Sequence, residues 1–478
     1  MIELENTVGG ADKPVMKRLA CEDLQVVVLM GGLGSRLKEQ TVSCPKPLVP
    51  IHGKPFFEYE LHLLLDAGFR KFVFLVGYRA GMIEEYFGDG SRYGEDVSIR
   101  YSYDGEALLG TGGAVIKALP MLEDDFMLVY ADSFMDVDYF QIVYRYFKGK
   151  MSGQKALMTV MENGNRFDRS NVIYGDGEIK VYDKKNITAE MSYIDYGIEI
   201  FSKEVFSALE EASKDKKVDL SDIQKDLVER KKCAACEETH RFYEIGTPAS
   251  LAEFTEYVEK RFMKPHGVCF LDRDGVIDEI VFNEDTEQLD SPLSVSQFRF
   301  LPGAVEGLRK LSESGLELFV VSNQPAAAKG KAALSELYEI NTYMVKELLK
   351  EEIEIAEVSI CPHHPTGSGR TKEQFLIRKC DCRKPAAGLL LRIMKKHNVD
   401  PAHSYMIGDS YTDILAGRAA GVKTAFIGDY KCDVCSRLNF DKPDVTGKTL
   451  EEAAEKILDD LYGAGAAICR DRGDCDKI

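Results

Sequence analysis

Long apolar runs are missing from this chain of 478 residues: none approaches the roughly 18 consecutive apolar residues that a membrane span requires. The opening stretch MIELENTVGGADKPVMKRLACEDLQ has no apolar h-region, so the cytoplasm is the expected compartment. Positive charge is in deficit too, with 61 Lys and Arg against 79 Asp and Glu, a formal net of −18. A nucleic-acid-coating surface needs the opposite balance to displace counterions, so any phosphate handled here must meet local positive charge. Twelve cysteines are too few for a disulfide scaffold at this length, and in a reducing compartment metal binding or packing is left for them. No internal repeat or low-complexity block is visible, and 45% hydrophobic with 29% charged residues sets disordered and fibrous classes aside.

What is present is an alternation of short β-rich runs with amphipathic stretches, made twice. QVVVLMGG, KFVFLVGY, FMLVYADS and KALMTVME read as buried strands, and the apolar positions Phe56, Phe57, Leu61, Leu64 and Leu65 predict a helix between the first two. The pattern restarts at VCFLDRDG and continues through a helix near Ala304 to Leu311, LELFVVSNQ and SYMIGDS. Such alternation predicts α/β architecture with mostly parallel sheets, as two doubly wound domains. Lys264-Pro265-His266-Gly267 is the natural boundary, because Pro and Gly stop the preceding helix. The expected division is an extension at 1–22, a first domain at 23–262, a second at 266–462, and a polar tail at 463–478 that carries Cys469 and Cys475.

Directly after the first strand, GGLGSRLKEQTVSCPKPLVPIHGKP reads as a phosphate cradle. Gly31, Gly32 and Gly34 let backbone N–H groups approach an anion, while Arg36 and Lys46 add charge. It lacks the Gly-Lys-Ser/Thr ending of a Walker loop and the third glycine of the dinucleotide fingerprint, where Leu37 stands. The segment resembles the sugar-1-phosphate nucleotidyltransferases, whose GGxGxRL and PKPLxPIxGKP signatures it reproduces. The likeness continues through LLGTGGAV, YADSF, YDKKN, YGIEIF and YEIGTP, over roughly residues 23 to 262. It implies a Rossmann-like domain in which a sugar 1-phosphate attacks the α-phosphorus of a nucleoside triphosphate and pyrophosphate leaves. Arg36 and Lys46 would then neutralise the triphosphate. Asp132 would hold Mg²⁺, with Glu244 as second ligand where the family usually has Asp, and Lys184 would hold the sugar phosphate in line. Gly112 and Gly113 would admit the nucleotide or sugar, and Glu106 would meet sugar hydroxyls.

In VCFLDRDGV, Asp272 and Asp274 stand two apart at a strand end, so both carboxylates reach one edge, and two like charges there call for a cation. The pieces that follow are VVSNQ with Ser322 and Asn323, CRKP with Arg383 and Lys384, and IGDSYTD with Asp409 and Asp413. In this order they resemble the haloacid-dehalogenase-type phosphatases, from about Val268 to Leu461. The resemblance implies that Asp272 attacks phosphorus while Asp274 serves as acid and then base. It further implies that Mg²⁺ is held by Asp272, Asp409 and the carbonyl of Asp274, and that Ser322, Asn323 and Lys384 hold phosphate oxygens, with Arg383 beside them in the substrate site. Asp413 would orient Lys384, join the metal shell or cap its helix.

Between those motifs lie Cys361-x-His363 and Cys380-x-Cys382, flanking a polar stretch with no hydrophobic period. Three sulfurs and an imidazole make a closed tetrahedral Zn²⁺ set, structural because no position is left for water. Metal can order a loop that apolar burial cannot. His364 reads as a neighbour, and the pairs Cys233/Cys236 and Cys432/Cys435 as structural or incidental. The form CPHHP…CDCRKP resembles the D-glycero-D-manno-heptose 1,7-bisphosphate phosphatases, with histidinol phosphatases their relatives; there the zinc loop replaces a large cap. NQPAAAKGK departs from that branch, which usually has Ser-Gly and then an arginine near Lys329. The fusion favours the heptose branch, because its product is a sugar 1-phosphate that a nucleotidyltransferase consumes. The implied partners are sugar phosphates and a nucleoside triphosphate, GTP by resemblance, with neither nucleic acid nor membrane. The alternatives are a phosphatase for another metabolite joined to a hexose transferase, or one half without catalysis.

Overall fold

The computed structural model describes residues 4–5, 15–16, 19–32, 44–105, 109–210, 217–283, 287–429 and 442–463. Gly34, Arg36, Glu106, the Cys432/Cys435 pair and the tail from 464 lie outside them. The chain separates into two compact units, the first within 18–257 and the second within 258–478, and Met16 belongs with the second.

The first unit is built on a nine-stranded sheet. Its elements are β1 (Gln25–Leu29), α1 (Phe56–Asp66), β2 (Lys71–Val76), β3 (Ser98–Tyr103), α2 (Thr111–Ala118), β4 (Asp125–Tyr130), β5 (Ser133–Phe134), α3 (Tyr139–Met151), β6 (Ala156–Glu162), β7 (Val172–Gly175), β8 (Glu178–Tyr182), β9 (Tyr193–Ser202), α4 (Leu220–Glu229), β10 (Cys233–Glu238) and β11 (Tyr243–Glu244). The sheet runs β8-β7-β9-β4-β1-β2-β3, with β6 against β9 and β10 beyond it. Val26, Val27 and Val28 of β1 are fully buried, as expected for a central parallel strand covered on both faces. Strands β1, β2, β3 and β4 are mutually parallel, so the loops after them open on one edge. Strand β9 runs antiparallel to both β4 and β6, a direction that apolar periodicity cannot encode. The short pair β5–β11 sets Glu244 opposite Ser133.

The second unit holds β12 (Val268–Leu271), β13 (Val281–Asn283), β14 (Gln288–Asp290), α5 (Ala304–Glu313), β15 (Glu317–Asn323), α6 (Leu334–Lys350), β16 (Glu357–Cys361), α7 (Gly388–His397), β17 (Tyr405–Gly408), α8 (Tyr411–Ala420), β18 (Lys423–Ile427), β19 (Val445–Gly447) and α9 (Leu450–Tyr462). Its sheet is parallel throughout, in the order β16-β15-β12-β17-β18-β19. The ends of β12, β15 and β17 are therefore neighbours, and β13–β14 forms a separate hairpin. Helix α6 buries Leu334, Leu337, Tyr338, Asn341, Met344, Val345 and Leu348, the three-and-four spacing of one helical face. Residues ahead of the expected boundary already serve this unit. Arg261 donates to His397 Nδ1 at 3.1 Å and to the Ala356 carbonyl at 3.2 Å, and Phe262 stacks on His397. From the other end of the sequence, buried Met16 donates its N–H to the Lys372 carbonyl at 3.0 Å, beside Glu373. Among the described residues, no helix is long and apolar enough to cross a membrane.

Candidate active sites

Asp272 directly follows β12; the parallel sheet brings Ser322, Asn323 and Asp409 to the same edge, and Lys384 reaches it from the loop before α7. The Lys384 ammonium, 2% exposed, lies 2.9 Å from Asp272 Oδ2 and 2.7 Å from Asp413 Oδ1, and donates to the Val321 carbonyl at 2.8 Å. Burial works against its charge, but Asp272 and Asp413 outweigh this and hold the lysine above its ordinary value. Asp413 does two jobs at once: it orients Lys384, and its Oδ2 accepts from the Ser410 N–H and hydroxyl to cap α8. Burial pushes its carboxyl up to about 6 although Lys384 opposes the shift. Asp272, Asp409 and Asp413 bring carboxylate oxygens within 4.8 Å of one another, a group suited to an oxygen-seeking cation.

Asp274 is held at both oxygens. Arg273, fully buried, approaches Oδ1 at 2.7 Å, and Gln324 Nε2 donates to Oδ2 at 2.6 Å. Arg273 also donates to Asn341 Oδ1 at 2.7 Å and to Gln324 Oε1 at 3.1 Å, and lies 3.4 Å from Asp278. Burial raises Asp278 to about 8 even though Arg273 opposes it. None of these four partners was singled out in the sequence. A buried arginine inside DRDG is the one signal that could have found them, because a guanidinium at a strand end must be paired.

Asn323 gives its amide to the Lys384 carbonyl and takes the Lys384 N–H, each at 3.0 Å, so its side chain clamps the lysine. Ser322 Oγ accepts from Gln324 Nε2 at 3.0 Å. Arg383 reaches the His363 carbonyl at 3.4 Å and so ties this edge to the cysteine loop.

In that loop the Cys361, Cys380 and Cys382 sulfurs lie 3.1 to 3.5 Å apart, and His363 Nδ1 is 3.2 Å from Cys382 and 3.7 Å from Cys361. All three thiols are free. A tetrahedron with metal–sulfur bonds of about 2.3 Å needs sulfurs roughly 3.8 Å apart, so the set fits a metal ion after a slight opening. Its hydrogen bond to Cys361, together with burial, pushes Cys382 up to about 12, a cost that a bound cation removes. His364 turns away, its Nδ1 accepting from the Gly367 N–H at 3.0 Å.

In the first unit a cleft of about 230 Å³ opens at the carboxyl ends of β1, β2 and β4, lined by Gly31, Gly32, Lys46, Asp104, Thr111, Asp132 and Lys217 among others. Lys46 follows Pro45 in a short 3₁₀ turn, and its Nζ lies 2.9 Å from Asp132 Oδ2. Glu244 comes close through β11, whose next residue, Ile245, donates its N–H to the Asp132 carbonyl at 3.0 Å. Lys184 pairs with Asp195 at 3.0 Å; burial opposes its charge, but Asp195 and Glu199 hold it above its ordinary value. Gln224 links the group, donating to Glu199 at 2.8 Å and accepting from Tyr182 at 2.8 Å. Gly112 and Gly113 both donate N–H to the Val218 carbonyl, at 3.1 and 3.2 Å. A Cβ at Gly110, where φ is +80°, would stand 2.5 Å from that oxygen, so these glycines admit the 217–219 loop. Lys217, Asp104, Asp195 and Glu199 were missed, although an acid within the apolar run YGIEIF is a legible sign of a buried polar site.

Residues 25–261 match the nucleotidyl transferase family model, and residues 381–453 match the HAD-hydrolase-like model. The D-glycero-beta-D-manno-heptose-1,7-bisphosphate 7-phosphatase of Haemophilus influenzae is 34% identical over 154 residues, which are 32% of this chain and 77% of that protein. The protein of the same name from Escherichia coli K12 is 36% identical over 155 residues, 32% of this chain and 75% of that protein. Among solved structures, a glucose-1-phosphate thymidylyltransferase from Bacillus anthracis aligns with a TM-score of 0.46 and 20% identity, covering 50% of this chain and 97% of its own.

Proposed function

The chain belongs, through its second unit, to the family of the D-glycero-β-D-manno-heptose-1,7-bisphosphate 7-phosphatases, and its first unit carries a nucleotidyl transferase domain; from this premise we propose that it performs two consecutive steps toward a sugar nucleotide. The 7-phosphate of a heptose 1,7-bisphosphate is removed in the second unit. The remaining 1-phosphate then takes a nucleotidyl group from GTP in the first, with release of pyrophosphate. The observation that carries the reading is the meeting of a lysine-paired carboxylate, Asp272, with a doubly held one, Asp274, in a chain that also contains a transferase cleft.

Asp272 Oδ attacks phosphorus, and the sugar oxygen leaves with the proton of Asp274. Asp274 then takes a proton from the water that cleaves the aspartyl phosphate, which returns Asp272 and frees phosphate. Lys384 neutralises the phosphate oxygens and pairs with Asp272, while Asn323 and Asp413 fix the lysine. Asp272, Asp409 and the Asp274 carbonyl would hold Mg²⁺, which when bound supplies positive charge against the phosphate. Cys361, His363, Cys380 and Cys382 would hold Zn²⁺ as a structural clamp on the loop that faces the substrate. In the first unit, Lys46 and Asp132 stand where a triphosphate and its Mg²⁺ would meet, with Glu244 alongside, and Lys184 would hold the sugar phosphate.

The test supplies the bisphosphate with each nucleoside triphosphate and follows phosphate and pyrophosphate together. Asp272→Asn should abolish phosphate release and leave pyrophosphate release from preformed heptose 1-phosphate intact. Pyrophosphate formed directly from the bisphosphate by that variant would overturn the order of steps.

A further inference from the structure

Helix α1 buries Phe56, Phe57, Leu61 and Leu64, and among these apolar residues it carries Glu60, which has no exposed surface. A carboxyl held there is costly unless it is hydrogen-bonded, and both of its oxygens are. Oε2 accepts the Met135 N–H at 2.9 Å, and Oε1 meets the Tyr139 hydroxyl, which also reaches the Met135 carbonyl at 3.1 Å. Met135 stands three residues after Asp132. Between them lies β5, which pairs with β11, the strand that carries Glu244. The first residue of α1 is tied to the Lys46 turn: the Phe56 N–H donates to the Val49 carbonyl at 2.9 Å, and the Val49 N–H to the Lys46 carbonyl at 3.1 Å. About 6 Å of helix axis therefore separates the tie to the Lys46 turn from the tie to the Asp132 loop. The pair that these ties frame is Lys46 Nζ with Asp132 Oδ2, 2.9 Å apart.

The hydrogen count decides the form of the acid. The Tyr139 hydroxyl has one proton and faces two oxygens, Glu60 Oε1 and the Met135 carbonyl. An ionised Glu60 would take that proton away from the carbonyl. A neutral Glu60 donates to the Tyr139 oxygen, and Tyr139 donates on to Met135, so both bonds are made at once. The surroundings agree: burial pushes Glu60 up to about 8, although the bonds from Tyr139 and Met135 oppose the rise, and Asp136 adds to it. Burial and Glu60 hold Tyr139 well above its ordinary value, so it keeps its proton. The groups that face the acid are thus Tyr139 of α3, Asp136 of the loop ahead of it, and buried Tyr196 of β9. We propose that Glu60 is a positioning residue for nucleotidyl transfer: as a neutral acid it clamps Met135, and so fixes Asp132 against Lys46 where the triphosphate and its metal ion meet. The inference rests on the nucleotidyl-transfer reading and adds to it a brace that loosens in alkali. The folded acid is neutral below about 8 and ionises above it, so the alignment is lost as pH rises through that value.

Pyrophosphate release from GTP and heptose 1-phosphate by the full chain is followed against pH and against Mg²⁺. Glu60→Leu can neither accept from Met135 nor donate to Tyr139; it should lose roughly tenfold to a hundredfold in kcat and need more Mg²⁺, the effect of leaving a buried donor unpaired. The KM for the sugar phosphate should change far less, because that group is met at Lys184, which pairs with Asp195. Glu60→Gln keeps both bonds, since its amide donates to Tyr139 and its carbonyl accepts from Met135. It should hold kcat within about threefold and abolish the decline above about pH 8. The infrared difference between the unaltered chain and Glu60→Gln should contain the carbonyl band of a protonated carboxyl at neutral pH, a readout that needs no turnover and decides the matter even where Glu60→Leu fails to fold. A folded Glu60→Leu with unchanged kcat and Mg²⁺ demand overturns the proposal. So does a Glu60→Gln as slow as Glu60→Leu, an alkaline decline that Glu60→Gln leaves in place, or the absence of that band. No pyrophosphate from the unaltered chain with any common triphosphate overturns the transferase reading and this inference with it.

Discussion

Replacing Gln324 by Met keeps the volume of a fully buried side chain and removes three polar contacts: the 2.6 Å bond to Asp274 Oδ2, the 3.0 Å bond to Ser322 Oγ and the acceptor for Arg273. A hydrogen bond to a charged partner is worth about 1.5 to 3 kcal/mol, so the acid should lose its alignment by that amount. The expected cost is roughly 10- to 150-fold in phosphate transfer from a sugar alkyl ester, inside the ~10²- to 10⁴-fold that a general acid contributes altogether. Arg273 still holds Oδ1 at 2.7 Å, so the effect should fall well short of losing Asp274. The discriminating assay is single-turnover cleavage of the sugar phosphate beside that of p-nitrophenyl phosphate, whose leaving group needs no proton. Only the alkyl ester should slow; the nitrophenolate burst should stay within about threefold, since the nucleophile Asp272 and Lys384 do not touch Gln324 in the hydrogen-bond pattern. Equal slowing of both would refute the view that Gln324 serves the acid, and would point to a general collapse of the site.

Cys380→Ser should remove one bound zinc per chain by elemental analysis and lower the unfolding temperature of the second unit by more than about 5 °C, while the nitrophenolate burst persists. Gly110→Ala puts a methyl group 2.5 Å from the Val218 carbonyl at a positive φ; about 2 to 4 kcal/mol of destabilisation in the first unit is expected in urea melts, with phosphatase activity unchanged. His266 and Glu317 lie 3.2 Å apart. The bond to Glu317 raises His266 against the effect of burial, and His266 and Arg261 lower Glu317 although burial resists. The histidine's contribution is complete below its unfolded value of about 6.5 and is lost as pH rises through the raised folded value. The glutamate's contribution is complete above about 4.3 and is lost as pH falls through the lowered one. Urea midpoints of the second unit should therefore decline above neutrality, and His266→Gln should flatten that decline.

The parts legible in the sequence were those that short motifs at strand ends make visible. Asp272, Lys384 and Asp409 are fixed by local punctuation, and the parallel sheet needs only to bring strand ends together. The Cys361, His363, Cys380 and Cys382 set was readable because two ligand pairs of close spacing, Cys-x-His and Cys-x-Cys, flank one loop. What stayed hidden depends on contacts across the fold. Asn341 comes from the middle of α6, 68 positions from Arg273, and nothing near it marks a polar anchor. The glycines of LLGTGGAV meet Val218, a partner over 100 positions away that no local signal in the sequence marks. The antiparallel course of β9 is equally invisible, because burial on both faces gives the same apolar run in either direction.

The bond between Met16 and Lys372 bears on how the chain is made. A ribosome delivers Met16 356 residues ahead of Lys372, a delay on the order of 20 to 70 s at about 5 to 20 residues per second. Throughout that interval the whole of the first unit emerges and can fold, while the leading segment waits. Met16 therefore meets its partner only after residues 17–371 have been made. A second half expressed on its own would need residues around Met16 supplied as a separate peptide to finish the edge beside Glu373.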